Sequence, residues 1–422
     1  MKRNRFFCLV IAVSLFACEP QQDQQAQPEP QTQPDPQAQP AQCDVAAVTA
    51  AKKLQAFTAP TDPGAQGLLI SISGEEFSQT GLPALIDRAR RGEEGEIGFV
   101  DGWELSFDHF IVTVDAINIS ENPDKVPSDQ SQTGATVAQV FGPFAVDLTK
   151  PGTVADKGAP SLKVPALAAL KTQNKVSGAP SFKLDERYAF GYDIIPASYC
   201  SKNVNLDADA LALYGEMVEK GYTVMYAGTA TWKGDSAGVV CQSSPAGYDY
   251  SAWPKTVKVK LGFTAPTSQL NCQNPDNQTA ATFDGEEFQR GISVKSNEST
   301  VAQLTLHPDH PFWPNLDEGG TMHFDMIAAQ LLGGAAVPTA TLEALAEVSV
   351  KPVQDKFGVN LPWRSCTDSF DATTAFGNSV GMTFVEADGT TQSPLKLAAF
   401  MNETTSAQGH LNADGLCITV RK

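Results

Sequence analysis

WELSFDHFIVTV, residues 103–114, alternates apolar Trp103, Leu105 and Phe107 with polar Glu104, Ser106 and Asp108. A period of two sends successive side chains to opposite faces of an extended chain, so the stretch predicts a half-buried β-strand. Similar segments, punctuated by Gly, Pro, Asn and Asp, recur over residues 68–73, 223–232, 256–264, 301–307, 381–385 and 416–421. Helical spacing is clearest over 207–220, where Leu211, Tyr214 and Val218 share a face and Gly221 stands at the expected stop. Weaker helical spacing covers 82–90 and 339–346. Strands that outnumber helices without alternating with them predict a mainly β chain and argue against a doubly wound fold. The expected architecture is two antiparallel β-sandwich-like domains with a few short helices.

Two short matching series place the boundary between those domains. One strand runs into Gly74-Glu75-Glu76-Phe77 and is followed by Ser106-Phe107-Asp108-His109; another runs into Gly285-Glu286-Glu287-Phe288 and is followed by His323-Phe324-Asp325. The common order predicts a first β domain over 43–196 and a second over 197–422 that begins with a disulfide-rich segment.

The N-terminus carries a different kind of signal. Lys2, Arg3 and Arg5 precede an apolar run over residues 6–16, shorter than the about 20 residues a membrane-spanning helix needs. That is the pattern of a signal peptide, residues 1–17. The run closes on Leu15-Phe16-Ala17-Cys18, which resembles the lipobox of bacterial lipoproteins. The resemblance implies cleavage before Cys18, lipidation of Cys18 and anchorage to a membrane on its extracytoplasmic side. Glu19 is not the Asp associated with inner-membrane retention in that family, which favours the outer membrane. Residues 19–42 are almost wholly Gln, Pro, Ala, Asp and Glu, a composition with nothing to bury, and they read as a disordered tether.

Charge and cysteine content agree with export. The formal charge of −18 becomes −21 once Lys2, Arg3 and Arg5 leave with the signal peptide, which argues against nucleic acid as a partner and leaves cations as plausible ones. Besides Cys8 and Cys18 the chain holds Cys43, Cys200, Cys241, Cys272, Cys366 and Cys417. An even set with no Cys-x-x-Cys suits three disulfides in an oxidising compartment, with the pairing open, and speaks against a thiolate metal site.

The strongest chemical cluster is His307-Pro308-Asp309-His310-Pro311-Phe312-Trp313 with His323-Phe324-Asp325. His307 ends a predicted strand and His310 lies in a proline-bounded turn, so the two imidazoles can point the same way. Three of five histidines fall within 17 residues. Imidazole with carboxylate suits transition-metal ions, zinc or copper among them, and tetrahedral zinc takes three or four such ligands. The expected ligands are His307, His310 and His323, with Asp325 or Asp309 as the fourth donor, and Phe312 and Trp313 as an apolar outer layer.

Other motifs read as structural. Asp101-Gly102-Trp103-Glu104 with Asp108-His109 has too few nitrogen donors and reads as a turn feeding a strand, with Trp103 in the core. Glu75, Glu76, Glu286 and Glu287 read as solvated strand-end charge. Gly234-Asp235-Ser236-Ala237-Gly238 and Gly377-Asn378-Ser379-Val380-Gly381 match the spacing of a serine nucleophile elbow but lack its strand-to-helix setting, and read as turns. No Walker loop, dinucleotide fingerprint, His-Glu-x-x-His or haem-attachment motif occurs. The layout of Gly-Glu, Asp-Gly-Trp and His-x-x-His-x-Phe-Trp elements behind a Gln/Pro linker resembles uncharacterised exported bacterial lipoproteins, and that resemblance implies no site residues. The expected function is non-enzymatic metal capture or delivery from a membrane anchor; the alternative is a structural module contacting an envelope protein or a glycan.

Overall fold

In chain order the main strands are β1 (Leu68–Ser73), β2 (Trp103–Glu121), β3 (Thr136–Val140), β4 (Phe144–Asp147), β5 (Ala166–Leu170), β6 (Arg187–Ile194), β7 (Val224–Trp232), β8 (Thr256–Phe263), β9 (Thr267–Leu270), β10 (Thr300–Leu306), β11 (Gly409–Leu411) and β12 (Ile418–Arg421). The longer helices are α1 (Glu75–Thr80), α2 (Ala208–Lys220) and α3 (Leu397–Ser406). The computed structural model describes residues 43–422 apart from 86–96, 172–181, 185, 235–240, 245–247, 278, 284, 314–320, 350–353, 362, 367–383, 386–390 and 393–395. The expected signal peptide, Cys18 and the expected tether lie outside the described residues, as do Ser236 and Ser379.

The 103–114 stretch is the first part of β2, a strand of 19 residues. One edge of β2 pairs with β7 and then with β6; the other carries β4 and β3. The strand bends at Ala116, whose φ of +47° is left-handed. Asp115 Oδ1 holds the bend by accepting the N–H groups of Ala116 and Gly142, both at 2.7 Å. An extra residue in one strand of a ladder produces such a bend, and here it lets β2 serve two groups of partners in one 12-stranded sheet.

A second sheet runs β11-β10-β1-β5, with Gly415–Leu416 on its β11 edge. Its central pair departs from the antiparallel expectation: β1 and β10 are parallel, with Leu68 opposite Thr300 and Ser73 opposite Thr305. Parallel strands need cover on both faces. Leu68, Ile70 and Ile72 enter the main core with Phe110, Val112 and Leu304, while Leu69 packs with Val154, Val164 and Ala166 on the other side. The 12-stranded sheet is also covered on its outer face, where Ile111 and Met225 pack against Tyr214 and Met217 of α2.

The expected boundary at 196/197 falls inside this arrangement. β2 pairs with β7 and β1 with β10, so sheets join the two halves, and Pro40–Lys422 cluster as one compact unit. The matching Gly-Glu-Glu-Phe series do not mark equivalent positions: Gly74 leads into α1, whereas Gly285 lies in a turn region.

α2 forms where the spacing predicts it. Asp207 caps it by accepting the Ala210 N–H at 3.0 Å, and Gly221 ends it in a left-handed conformation. The two weaker helices do not form as expected. Leu82 and Ala84 make bridge pairs with Leu105 and Phe99, and residues 86–90 lie outside the described residues. Residues 339–346 divide into a strand, Thr339–Thr341, and a 3₁₀ turn, Glu343–Leu345. Pairing with β8 decides this: β-branched Thr339 and Thr341 fit a pleated edge better than a helix.

The six cysteines among the described residues pair, Cys43 with Cys200, Cys241 with Cys366 and Cys272 with Cys417, across separations of 157, 125 and 145 residues. In a chain-entropy account, loops of this length restrict the unfolded chain by about 4–5 kcal/mol each. Such bonds belong to an oxidising compartment. No helix among the described residues is long and apolar enough to cross a membrane.

Candidate metal centre

His307 follows the last residue of β10, and its N–H donates to the Gln408 carbonyl at 3.0 Å. His310 opens the 3₁₀ turn His310–Phe312. His410 is the middle residue of β11, opposite Thr305 of β10. The sheet and the turn thus bring together ring nitrogens of His307, His310 and His410, one from each residue, all within 4.8 Å of one another. The His307 and His410 rings stack at 4.1 Å between centroids with 19° between planes; His310 meets them edge-on at 5.3 and 5.6 Å.

The three rings are only 3 to 7% exposed. Burial, followed by repulsion from neighbouring imidazoles, holds His310 and His410 far below the usual histidine pKa, so both are neutral. Among the described residues, neither nitrogen of His310 has a hydrogen-bond partner, and Nδ1 of His410 has none. The Thr404 backbone lies close enough to favour a proton on His310, but no bond of ordinary geometry closes on its nitrogens. Leaving a buried polar atom unpaired costs about 1–3 kcal/mol. Three imidazole nitrogens within 4.8 Å of one another in an enclosed space are the donor type that a transition-metal ion takes, with the stacked His307 and His410 rings turning so that both lone pairs meet it.

Trp313 forms the expected apolar wall. Its ring lies 3.9 Å from that of His310, and its Nε1 donates to Asp309 Oδ2 at 2.6 Å. Phe312 packs inward on Phe99 at 5.3 Å. Asp309 is fully buried beside the centre, its other oxygen unpaired and its carboxyl raised by burial, but it is not a member of the three-histidine group.

Two expected ligands belong elsewhere. His323 is outside the group, and Asp325 begins a short helix, Asp325–Ala328, in which its carboxylate is used completely. Asp325 accepts Trp103 Nε1 at 2.8 Å and the Arg364 guanidinium at 2.5 and 3.0 Å. The strand-like spacing of His323 and Asp325 does not apply because the chain turns helical between them. Asp101, read as a simple turn residue, is fully buried and accepts the N–H groups of Phe324 and Asp325, both at 2.7 Å. His109 is structural, its Nδ1 2.7 Å from Asp147 Oδ2. Of the carboxylates read as solvated, Glu286 forms a buried ion pair with Arg290 at 2.6 Å.

Burial pushes the His323 imidazole down to about 3, whereas an unfolded histidine titrates near pH 6.5. The neutral ring therefore contributes its full stability above pH 6.5, and that contribution is lost as pH falls toward 3. Relative to His323→Leu, the protein is expected to lose about 1.4 kcal/mol per pH unit over this range, read from urea unfolding at pH 7, 6, 5 and 4. Parallel pH profiles for the two proteins would mean that His323 takes up its proton without unfolding.

Glu75 adjoins the centre. The β1/β10 pairing ends at Ser73 opposite Thr305, two residues before Glu75 and His307, and Glu75 Oε1 is 3.3 Å from His307 Nε2. Burial, with Asp309, Asp414 and Asp156 nearby, raises its carboxyl to about 7 against the opposing pull of His307. The sequence reading missed Glu75 and His410 as members of the centre; the pool of only five histidines is the one local hint of the latter. Comparison with protein-family models, curated proteins and solved structures finds no match.

Proposed function

We propose that this chain is an extracytoplasmic protein, held at the outer membrane by lipid on Cys18, that binds a zinc or copper ion through His307, His310 and His410. Its role is capture or delivery of the metal. The observation that carries this reading is the set of buried, unpaired nitrogens on His310 and His410 beside His307. A metal ion is the ligand whose chemistry satisfies several neighbouring imidazole nitrogens at once, and ligation needs neutral rings, which burial enforces at His310 and His410. Enclosure argues for holding an ion over turning over a substrate, because a catalytic metal keeps a position open to substrate. The disulfides support an extracytoplasmic location. Lipidation rests on the lipobox resemblance and is read from the mass of the mature N-terminus.

The direct test is metal analysis of protein purified without a polyhistidine tag, beside a His307→Ala, His310→Ala, His410→Ala variant. Wild type is expected to retain zinc or copper through desalting and the variant to retain none. Equal metal content in two folded proteins overturns the proposal.

An envelope-contacting module is the second reading, favoured by a recess of about 410 Å³ lined by Trp232, Tyr250, Trp253, Pro254, Lys255 and Arg364. Aromatic faces with a basic rim suit a sugar ring or a protein loop. Glycan binding lost on Trp253→Ala, with metal content unchanged, would favour it.

A further inference from the structure

We infer that the centre takes a second cation, held by Glu75, Asp414 and the shared imidazole of His307, so that His307 bridges two ions. This rests on the metal reading above and extends it. One donor atom each from Glu75, His307 and Asp414 lie within 4.8 Å of one another, and His307 belongs to this group as well as to the three-histidine group. Imidazole has two ring nitrogens, each able to bind a metal once the proton between them is released. Nε2 of His307 lies 3.3 Å from both Glu75 Oε1 and the Ala413 carbonyl, so the outer ion would displace that carbonyl contact and the inner ion would take Nδ1.

Topology explains why these residues meet. Parallel pairing of β1 and β10 ends at Ser73 and Thr305, so that Glu75 and His307 each follow two residues later, 3.3 Å apart at Oε1 and Nε2. The β11 hairpin returns through Asn412 and Ala413, both left-handed, and brings up Asp414. The hairpin is fastened by Asn412 Oδ1 accepting the Gln303 N–H at 2.8 Å and Thr305 Oγ1 accepting the Ala413 N–H at 3.0 Å.

Charge favours a second ion. The inner group supplies imidazole nitrogens only, whereas Glu75 has Asp309, Asp414 and Asp156 as near neighbours. These carboxyls repel one another, and a cation between Glu75 and Asp414 relieves that repulsion. Donor types divide accordingly. The enclosed site offers imidazole alone, whereas the outer site offers oxygen donors, with Asp414 exposed and Glu75 partly so. Oxygen donors at the surface suit a cation that keeps part of its water.

The test is metal stoichiometry of full-length protein purified without a polyhistidine tag and titrated with Cu²⁺, with electron paramagnetic resonance of the loaded protein. Wild type is expected to retain two ions whose spins couple through the imidazolate, so that the integrated signal falls well below the copper content. The double variant Glu75→Gln, Asp414→Asn should retain one ion with its full signal. His310→Gln should retain one ion, bound at the outer group and removed by a weaker chelator. One ion in wild type, unchanged in the double variant, overturns the second site and leaves the inner one standing. No ion in wild type overturns both. Cooperative thermal unfolding of each variant shows that the fold is intact.

Discussion

His410→Gln is expected to weaken binding of the inner ion at least about 100-fold, whereas His323→Gln leaves it unchanged. His410 supplies one of three nitrogens in the group, and glutamine fills its space without a lone pair of comparable basicity. A 100-fold loss is about 2.7 kcal/mol. Metal at 1,000 times its Kd stabilises the folded state by about 4.1 kcal/mol. At the same free metal the His410→Gln protein would gain only about 1.4 kcal/mol. Urea unfolding with and without metal measures both increments. His323→Gln should show the wild-type increment, because His323 stands outside the group. The reverse pattern, with His323 required and His410 dispensable, would restore the ligand set expected from the sequence and remove the one drawn from the fold.

Arg364→Met is expected to destabilise the protein by about 3–5 kcal/mol, the usual cost of removing one partner from a buried ion pair. Arg364 donates twice to Asp325, and its guanidinium lies 4.4 Å from the Trp232 ring centroid and 4.5 Å from that of Tyr250. Burial, then the charge of Asp325, already raises the Asp101 carboxyl far above its ordinary value; burial also raises Asp325, against the pull of Arg364. Without the cation both carboxyls rise further. A carboxyl with a raised folded pKa carries its full penalty above that pKa, and the penalty shrinks as pH falls toward the unfolded value near 4. The gap between wild type and Arg364→Met should therefore narrow from pH 7 to pH 4, and Asp325→Asn in the variant background should recover part of the loss at pH 7. A constant gap would show that packing against the aromatic rings, not charge, is what Arg364 supplies.

Much of the local structure was legible because its causes lie within a few residues of one another. Buried Trp103 and Leu105 with half-buried Phe107 mark the inner face of β2 through simple alternation. Asp207 and Gly221 bracket α2 with a cap and a stop. His307 and His310 were readable together because a strand end and a proline-bounded turn separate them by three positions. His323 and Asp325 misled for the same reason: nearness in the chain was read as convergence, while the short helix at Asp325 sends its carboxylate to Arg364.

Short-range patterns sufficed for a mainly β chain, an even set of cysteines, an acidic composition and two of the three imidazoles that the fold groups. Tertiary structure alone decided that β1 and β10 run parallel, that both halves share their sheets, and that His410 and Glu75 join His307. The physical reason is range. Alternation, caps and turns are set by steric and hydrogen-bonding preferences over a few residues. Which strand lies beside which depends on burying complementary faces between segments more than 100 residues apart, as His307 and His410 are, and no local pattern carries that information.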